Sequence, residues 1–347
     1  EIKAIYDALS PNTQADASTT GKGVDGGQIE DSAVIAYRLA RLINCPVVAT
    51  GEEDYISDGT RVFAVPHGHP IMTAVTGTGC LLGAVLAAFF SAYYPCKNRL
   101  SIGEFLGYAL AYYGLAGECA VQVSGVQPGS FSVAFMDSLY TLDDAVLMSE
   151  NRIRPIVVPD QLQVYFISGT QDVELNENRL LSIVEDACRG GVTCFQFREK
   201  GVGTLVGQQK LELAQQLQQI CAKYNVLYII NDDVDLAVAV NADGVHVGQA
   251  DMSLEAVRNL IGLKVVGISI HSVEELHNTD VIYADCVGVG PMYATSSKPD
   301  AQIPCGPNRI TELQSEGLTL PCVGIGGITL DNAKPILQAG ACGVAVI

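Results

Sequence analysis

The chain has 347 residues, with 20 Lys and Arg against 38 Asp and Glu, a formal net charge of −18. This length predicts two domains or one large one, and the acidic balance argues against nucleic acid and anionic membranes as main partners, since both require clustered cations. Only 17% of residues are charged and 48% are hydrophobic, which excludes a disordered chain and supplies the apolar material for sheets buried on both faces.

Glu1–Leu9 reads as a helix already in progress, and Gly343–Ile347 as a strand with no element after it, so the sequence is expected to be a piece of a longer protein. Ile29–Ile43 and Ile102–Gln122 carry helical apolar spacing. Val47–Thr50 and Arg61–Val65 are short strand candidates around a turn at Asp58-Gly59. Thr50 is followed by Gly51-Glu52-Glu53-Asp54, which places polar groups at a strand exit. His67 and His69 flank Gly68; such a pair can bind metal, but with no third ligand nearby a loop role is expected.

Thr76-Gly77-Thr78-Gly79-Cys80 directly precedes the apolar stretch Leu81–Tyr94. That stretch falls short of the roughly 20 residues needed to span a bilayer, so a buried core helix is expected. A Gly-rich turn at a helix N-terminus offers free backbone N–H groups to an anion, and Cys80 in the first turn would have its thiolate favoured. The alternative for the same glycines is close helix packing. Ser149–Gln161, with Arg152, Arg154, Pro155 and Pro159, reads as a linker, giving domains at 1–152 and 160–347. The 11 Cys are odd in number and lack C-x-x-C pairs, which points to buried thiols in a reducing cytoplasm.

From Gln163 onward strands and helices alternate strictly. Strand-like runs are Val164–Ser168, Cys194–Phe197, Val226–Ile230, Gly244–Val247, Val265–Ser269, Cys286–Gly290, Cys322–Ile325 and Gly343–Ile347. Helical runs between them are Asn178–Arg189, Leu205–Tyr224, Asp233–Asn241, Ser253–Ile261, Val273–His277, Asn308–Ser315 and Leu330–Ala339. Eight strands with polar residues at nearly every strand end favour a TIM (β/α)8 barrel lacking its final helix over an open doubly wound sheet.

In such a barrel the site lies at the C-terminal strand ends. Strand two ends in Gln196-Phe197-Arg198-Glu199-Lys200, and alternation sends Gln196, Arg198 and Lys200 to one side, an amide and two cations suited to a phosphorylated ligand. Strand three ends in Asn231-Asp232-Asp233 and strand four in Gly248-Gln249-Ala250-Asp251. Asp233 is the expected helix cap, leaving Asp232 and Asp251 for a Mg²⁺ that also binds phosphate oxygens. Strand five ends in Ser269-Ile270-His271. Thr295, Ser296, Ser297 and Lys298 follow strand six, and Gly326-Gly327 follows strand seven. The set points to a diphosphate ligand with Mg²⁺ and no protein nucleophile.

QFREK, NDD, GQAD, GISIH, GPMYATSSK and GIGGI, in that order over Val164–Ile347, make this region resemble thiamine-phosphate synthase. The resemblance implies that Gln196, Phe197, Arg198, Glu199, Lys200, Asn231, Ser269 and Lys298 hold the aminopyrimidine diphosphate. It implies Asp232 and Asp251 as Mg²⁺ ligands, and Thr295, Ser296, Ser297, Gly327 and Ile347 around the thiazole phosphate. Arg198, Lys200 and Lys298 would be the catalytic cations. The implied reaction joins 4-amino-2-methyl-5-(diphosphooxymethyl)pyrimidine to a thiazole phosphate and releases diphosphate.

ATGEEDYISDG, HGHPIMTAVTGTGC and QPGSF resemble the C-terminal half of hydroxyethylthiazole kinase, a ribokinase-like α/β fold. This implies ATP contacts at Thr50 and Gly77, a catalytic role for Cys80, and a metal role for Glu1 as the last residue of an N-x-x-E motif. With only that half present, this stretch is expected not to phosphorylate anything. The kinase would make the thiazole phosphate that the synthase consumes, and the family resemblance implies a homo-oligomer. Two alternatives are a barrel paralogue such as a thiazole tautomerase, and a non-catalytic thiazole-phosphate sensor. Retention of Asp232, Asp251, Lys200 and Lys298 argues for the synthase.

Overall fold

The computed structural model describes residues 2–9, 29–97, 99–295 and 302–347. The chain divides into two compact units, Glu1–Ile156 and Val157–Ile347.

The first unit orders helices α1 (Ile2–Leu9) and α2 (Ile29–Ile43), strands β1 (Val47–Ala49), β2 (Asp54–Ser57) and β3 (Val62–Val65), helices α3 (Thr78–Ala92), α4 (Ile102–Ser124), α5 (Pro128–Thr141) and α6 (Asp144–Glu150), and strand β4 (Arg154–Ile156). The strands form one antiparallel sheet in the order β1-β2-β3-β4. β3 is the apolar run Val62-Phe63-Ala64-Val65, buried throughout between its neighbours. α4 packs on β3 and α5, burying small residues such as Ala109 and Ala116. Three expectations change here. Asp54–Ser57, which carries no strand pattern of its own, is a central strand, the expected linker contains β4, and the stretch expected as a buried core helix forms α3 with only Leu82 buried. Pro155 is tolerated in β4 because that strand is an edge, paired only with β3.

The second unit alternates β5 (Val164–Ser168), α7 (Glu177–Arg189), β6 (Cys194–Phe197), α8 (Gly207–Lys223), β7 (Leu227–Asn231), α9 (Val234–Ala239), β8 (Gly244–Val247), α10 (Leu254–Ile261), β9 (Val265–Ile270), α11 (Val273–Asn278), β10 (Cys286–Val289), α12 (Asn308–Ser315), β11 (Cys322–Ile325), α13 (Lys334–Gln338) and β12 (Gly343–Val346). All neighbours pair in parallel, and β12 returns to β5, so the eight strands close into a barrel. Alternation within each strand sorts the core into two layers. Outward residues such as Phe195, Phe197, Tyr228 and Val245 pack under the helices with Leu180, Leu213 and Leu217. Inward residues such as Tyr165, Cys194, Leu227, Ile229 and Val323 fill the barrel itself. The closed barrel fixes where every strand end points, and so positions the site.

α13 starts later than its apolar pattern does. Asn332 Oδ1 accepts the Thr329 N–H at 2.8 Å, holding a turn there, and Pro335 sits in the first helical turn. No helix among the described residues is long and apolar enough to cross a membrane; α3 has 15 residues.

Candidate active site

A cavity of ≈ 460 Å³ opens at the C-terminal ends of the barrel strands. β6 contributes three of its walls' polar groups at two-residue spacing. Gln196 is buried in the wall and donates from Nε2 to the Tyr165 hydroxyl at 3.0 Å. Arg198 and Lys200 reach the mouth beyond it. Lys200 Nζ stands 2.7 Å from Asp232 Oδ2, and that hydrogen bond pushes the lysine pKa up, with the charge of Asp251 adding to the effect.

β7 ends at Asn231, and the two carboxylates after it part ways. Asp233 caps α9: its Oδ1 accepts the Leu236 N–H at 3.0 Å while Oδ2 lies 2.7 Å from Lys210 Nζ. Asp232 adopts φ 59°, a left-handed backbone that Asp tolerates better than most residues, and faces the cavity. Asp251, in the turn after β8, accepts the Gly248 N–H at 2.8 Å and lines the same cavity. Two carboxylates and two cations therefore share one opening.

Among the described residues no cluster of three or more His, Cys, Asp or Glu forms a closed metal cage. A pair of carboxylates on an open cavity fits Mg²⁺, whose shell is completed by water and substrate phosphates instead of a full set of protein ligands.

Hydroxyls and glycines make up further parts of the mouth. Ser269 from β9, Thr295 after β10, Gly326 and Gly327 after β11, and Ile347 after β12 all line it. Gly327 has φ 67°, and a Cβ there would meet the Ala294 carbonyl at 2.5 Å, so only glycine lets these two loops touch.

Sequence reasoning missed His246. It is an inward residue of β8, between outward Val245 and Val247, and it lines the cavity floor. Its Nε2 is 3.0 Å from Ser269 Oγ. Its Nδ1 is shut off from solvent with no hydrogen-bond partner, beside Gly267, where a Cβ would come within 2.3 Å. Gly288 on the next strand leaves space on the same ring, a Cβ there lying 3.3 Å from Cε1. Burial pushes the His246 pKa down to about 4, against a smaller upward pull from Asp251. The imidazole is thus neutral at physiological pH. The available signal was an inward histidine facing glycines on the two following strands.

Two expected substrate contacts lie off the cavity. Phe197 is 1% exposed and packs outward under the helices, as alternation from Gln196 requires. The Glu199 carboxylate is taken up by Thr170 and the Leu205 N–H. Ser296, Ser297, Lys298 and Glu1 lie outside the described residues.

In the first unit Thr50 is exposed at the exit of β1, and Gly77 is the exposed N-cap of α3, its carbonyl accepting the Leu81 N–H at 2.9 Å. Cys80 is exposed in the first turn of α3. Tyr113 on α4 donates to the Thr78 carbonyl at 2.6 Å, which ties the start of α3 to α4. The two histidines serve the fold. His69 Nδ1 accepts the Ile71 N–H at 3.2 Å and caps a short turn. His67 Nε2 accepts the Arg152 N–H at 3.2 Å, with Glu118 Oε1 3.4 Å from its Nδ1.

Residues 164–347 match the thiamine monophosphate synthase family, and residues 12–145 match the hydroxyethylthiazole kinase family. The thiamine-phosphate synthase of Geobacillus kaustophilus is 50% identical over 196 residues, 56% of this chain and 87% of that protein. The thiamine biosynthesis bifunctional protein ThiM/ThiE of Symbiobacterium thermophilum is 37% identical over 332 residues, 94% of this chain and 66% of that protein. A solved thiamine phosphate pyrophosphorylase from Pyrococcus furiosus is 30% identical with a TM-score of 0.48, over 55% of this chain and 88% of that one.

Proposed function

The chain belongs to the thiamine monophosphate synthase family over its barrel, with a hydroxyethylthiazole kinase-family stretch ahead of it, and from that premise we propose how the barrel mouth carries out the condensation. The protein is a transferase of thiamine biosynthesis. The observation that carries the residue assignment is the convergence of Gln196, Arg198, Lys200, Asn231, Asp232, Asp251 and Ser269 on one cavity.

Charge arithmetic supports the assignment. Arg198 and Lys200 offset Asp232 and Asp251, so the protein's own charges at the mouth are locally balanced. A bare diphosphate would meet the carboxylates unfavourably and a bare dication would meet the cations. A diphosphate that arrives with Mg²⁺ satisfies both sets. Mg²⁺ held by Asp232 and Asp251 would neutralise charge on the departing diphosphate. The left-handed backbone of Asp232 is a local cost of a kind that persists where function requires it.

The protein's own residues then do the following. Gln196, held by Tyr165, keeps its amide oxygen for the amino group of the pyrimidine. That amino group stabilises positive charge on the adjacent methylene. The methylene C–O bond breaks with its electron pair going to the diphosphate, and Arg198 and Lys200 hold that developing charge, a preorganised electrostatic contribution. The thiazole nitrogen donates its lone pair to the methylene carbon, forming the C–N bond. Thr295 and the loop at Gly327 hold the thiazole phosphate in line, with Ser296 and Ser297 adding hydroxyls, while Lys298 joins Arg198 and Lys200 at the diphosphate. Holding two substrates in one cavity supplies much of the remaining acceleration.

For the first unit the assignment is ATP contact at Thr50 and Gly77, with Cys80 beside the transferring phosphoryl group and Glu1 on the metal side. The Gly-rich helix start supports this, since its N–H groups suit an anion. Exposed apolar side chains such as Phe90, Met136 and Tyr140 support self-association of this unit. Free buried thiols such as Cys188 and Cys221 suit a cytoplasmic location.

The test is formation of thiamine phosphate from the pyrimidine diphosphate and thiazole phosphate, with and without Mg²⁺. Mg²⁺-dependent product is expected. A folded protein that binds both substrates and makes no product would overturn the proposal.

A further inference from the structure

Glu199 sits between two cavity-lining cations and points away from the cavity. Its Oε1 accepts the Thr170 hydroxyl at 2.5 Å and the Leu205 N–H at 2.8 Å, and its Oε2 accepts the Thr170 N–H at 2.9 Å. Thr170 is 1% exposed and belongs to the loop after β5. Leu205 lies at the far side of the loop after β6, just before α8. One carboxylate therefore pins the loop after β5 to both ends of the loop that carries Lys200.

A second clamp works on the backbone of Arg198. Its N–H donates to the Ser168 carbonyl at 3.0 Å, and its carbonyl accepts from Gln171 Nε2 at 2.8 Å. Gln171 Oε1 accepts the Lys200 N–H at 3.4 Å. Gly169 makes this approach possible, since a Cβ there would lie 2.0 Å from the Arg198 carbonyl oxygen. Both peptide groups flanking Arg198 are thereby fixed from the neighbouring strand end.

We propose that Glu199, with Gln171, is a positioning residue that aims Arg198 and Lys200 at the diphosphate without touching the substrate. This rests on the assignment of those two cations to the diphosphate. A rigid rim matters because a cation displaced by about an ångström loses much of its effect on a developing charge.

The experiment uses the full chain and Mg²⁺ with inorganic diphosphate as the probe. Glu199→Gln keeps the shape but turns an amide N–H₂ toward one set of N–H donors. It should weaken diphosphate binding roughly 10- to 100-fold and lower kcat/KM for the pyrimidine diphosphate alike. KM for thiazole phosphate should stay within about twofold, a split that a general loss of structure would not produce. Glu199→Asp should recover part of the loss. In an Arg198→Gln background the Glu199→Gln change should cost less than it does alone, because the two act on one contact. Should Glu199→Gln fail to fold, Gln171→Ala tests the same clamp with the same expected split. Unchanged diphosphate binding in both variants, or full additivity with Arg198→Gln, would overturn the inference. If Arg198→Gln and Lys200→Met themselves left diphosphate binding unchanged, the underlying assignment would fail instead.

Discussion

At the barrel mouth the candidate residues come from several strand ends and hold one another; in the turn ahead of α3 they come from one short stretch and stand in solvent. Lys200 is set on Asp232, His246 on Ser269, Gln196 on Tyr165, and Glu199 on the loop next door. Gly77 and Cys80 offer exposed backbone and an exposed thiol with no such frame of side chains between strands. The contrast teaches that a closed barrel turns consecutive sequence motifs into mutual constraints. A change at one strand end should therefore be felt at the next, whereas a change in the turn should stay local.

The sharpest structural test of that contrast is Gly267→Ala. The new methyl would fall on the His246 ring, so the ring or β9 must move. Overpacking of this kind costs about 1–3 kcal/mol. A thermal melt should show a clear drop in Tm, and condensation should fall with it because Ser269 loses its partner. A variant with unchanged Tm and activity would mean the slot around His246 is loose, and the mouth no better framed than the turn.

An effect of similar size should appear with pH. The folded His246 resists protonation down to about 4, against an ordinary value of 6.5. The unfolded chain takes up a proton first as pH falls, so stability is full above pH 6.5 and is lost progressively toward pH 4. At about 1.4 kcal/mol per pH unit of difference, the loss is on the order of 1–3 kcal/mol. Urea unfolding at pH 7 and pH 4.5 measures it, and His246→Gln should flatten the slope. An equal slope in that variant would assign the effect to other groups.

The smallest effect expected is that of Cys80→Ala, which should leave condensation within about twofold of wild type, since the thiol belongs to the first unit and not to the barrel. A large loss in the condensation assay would erase the distinction between the two regions.

Much of the barrel was legible because buried parallel strands leave short apolar runs. Val164–Ser168, Cys194–Phe197, Gly244–Val247 and Cys322–Ile325 have the boundaries that the pattern alone predicts. Strands of the first unit were less so. Asp54–Ser57 opens on an acidic run and ends at a turn, and only its pairing with β1 and β3 makes it a strand. Arg154–Ile156 carries a proline that reads as linker until its edge position is known. At the site, two-residue alternation correctly grouped Gln196, Arg198 and Lys200, and the same rule sends Phe197 and Glu199 the other way. His246 was hidden for a different reason: its environment is made by glycines far along the chain, so no local pattern marks it.

The most direct test of the account is the rate of thiamine phosphate formation by Asp232→Ala against wild type, at equal and saturating Mg²⁺, with circular dichroism to check the fold. The account predicts a loss of roughly 10²-fold or more with the fold intact, because Asp232 pairs with Lys200 and, in the proposed site, would offer a carboxylate to the cation that accompanies the diphosphate. A folded variant turning over within a few-fold of wild type would contradict it.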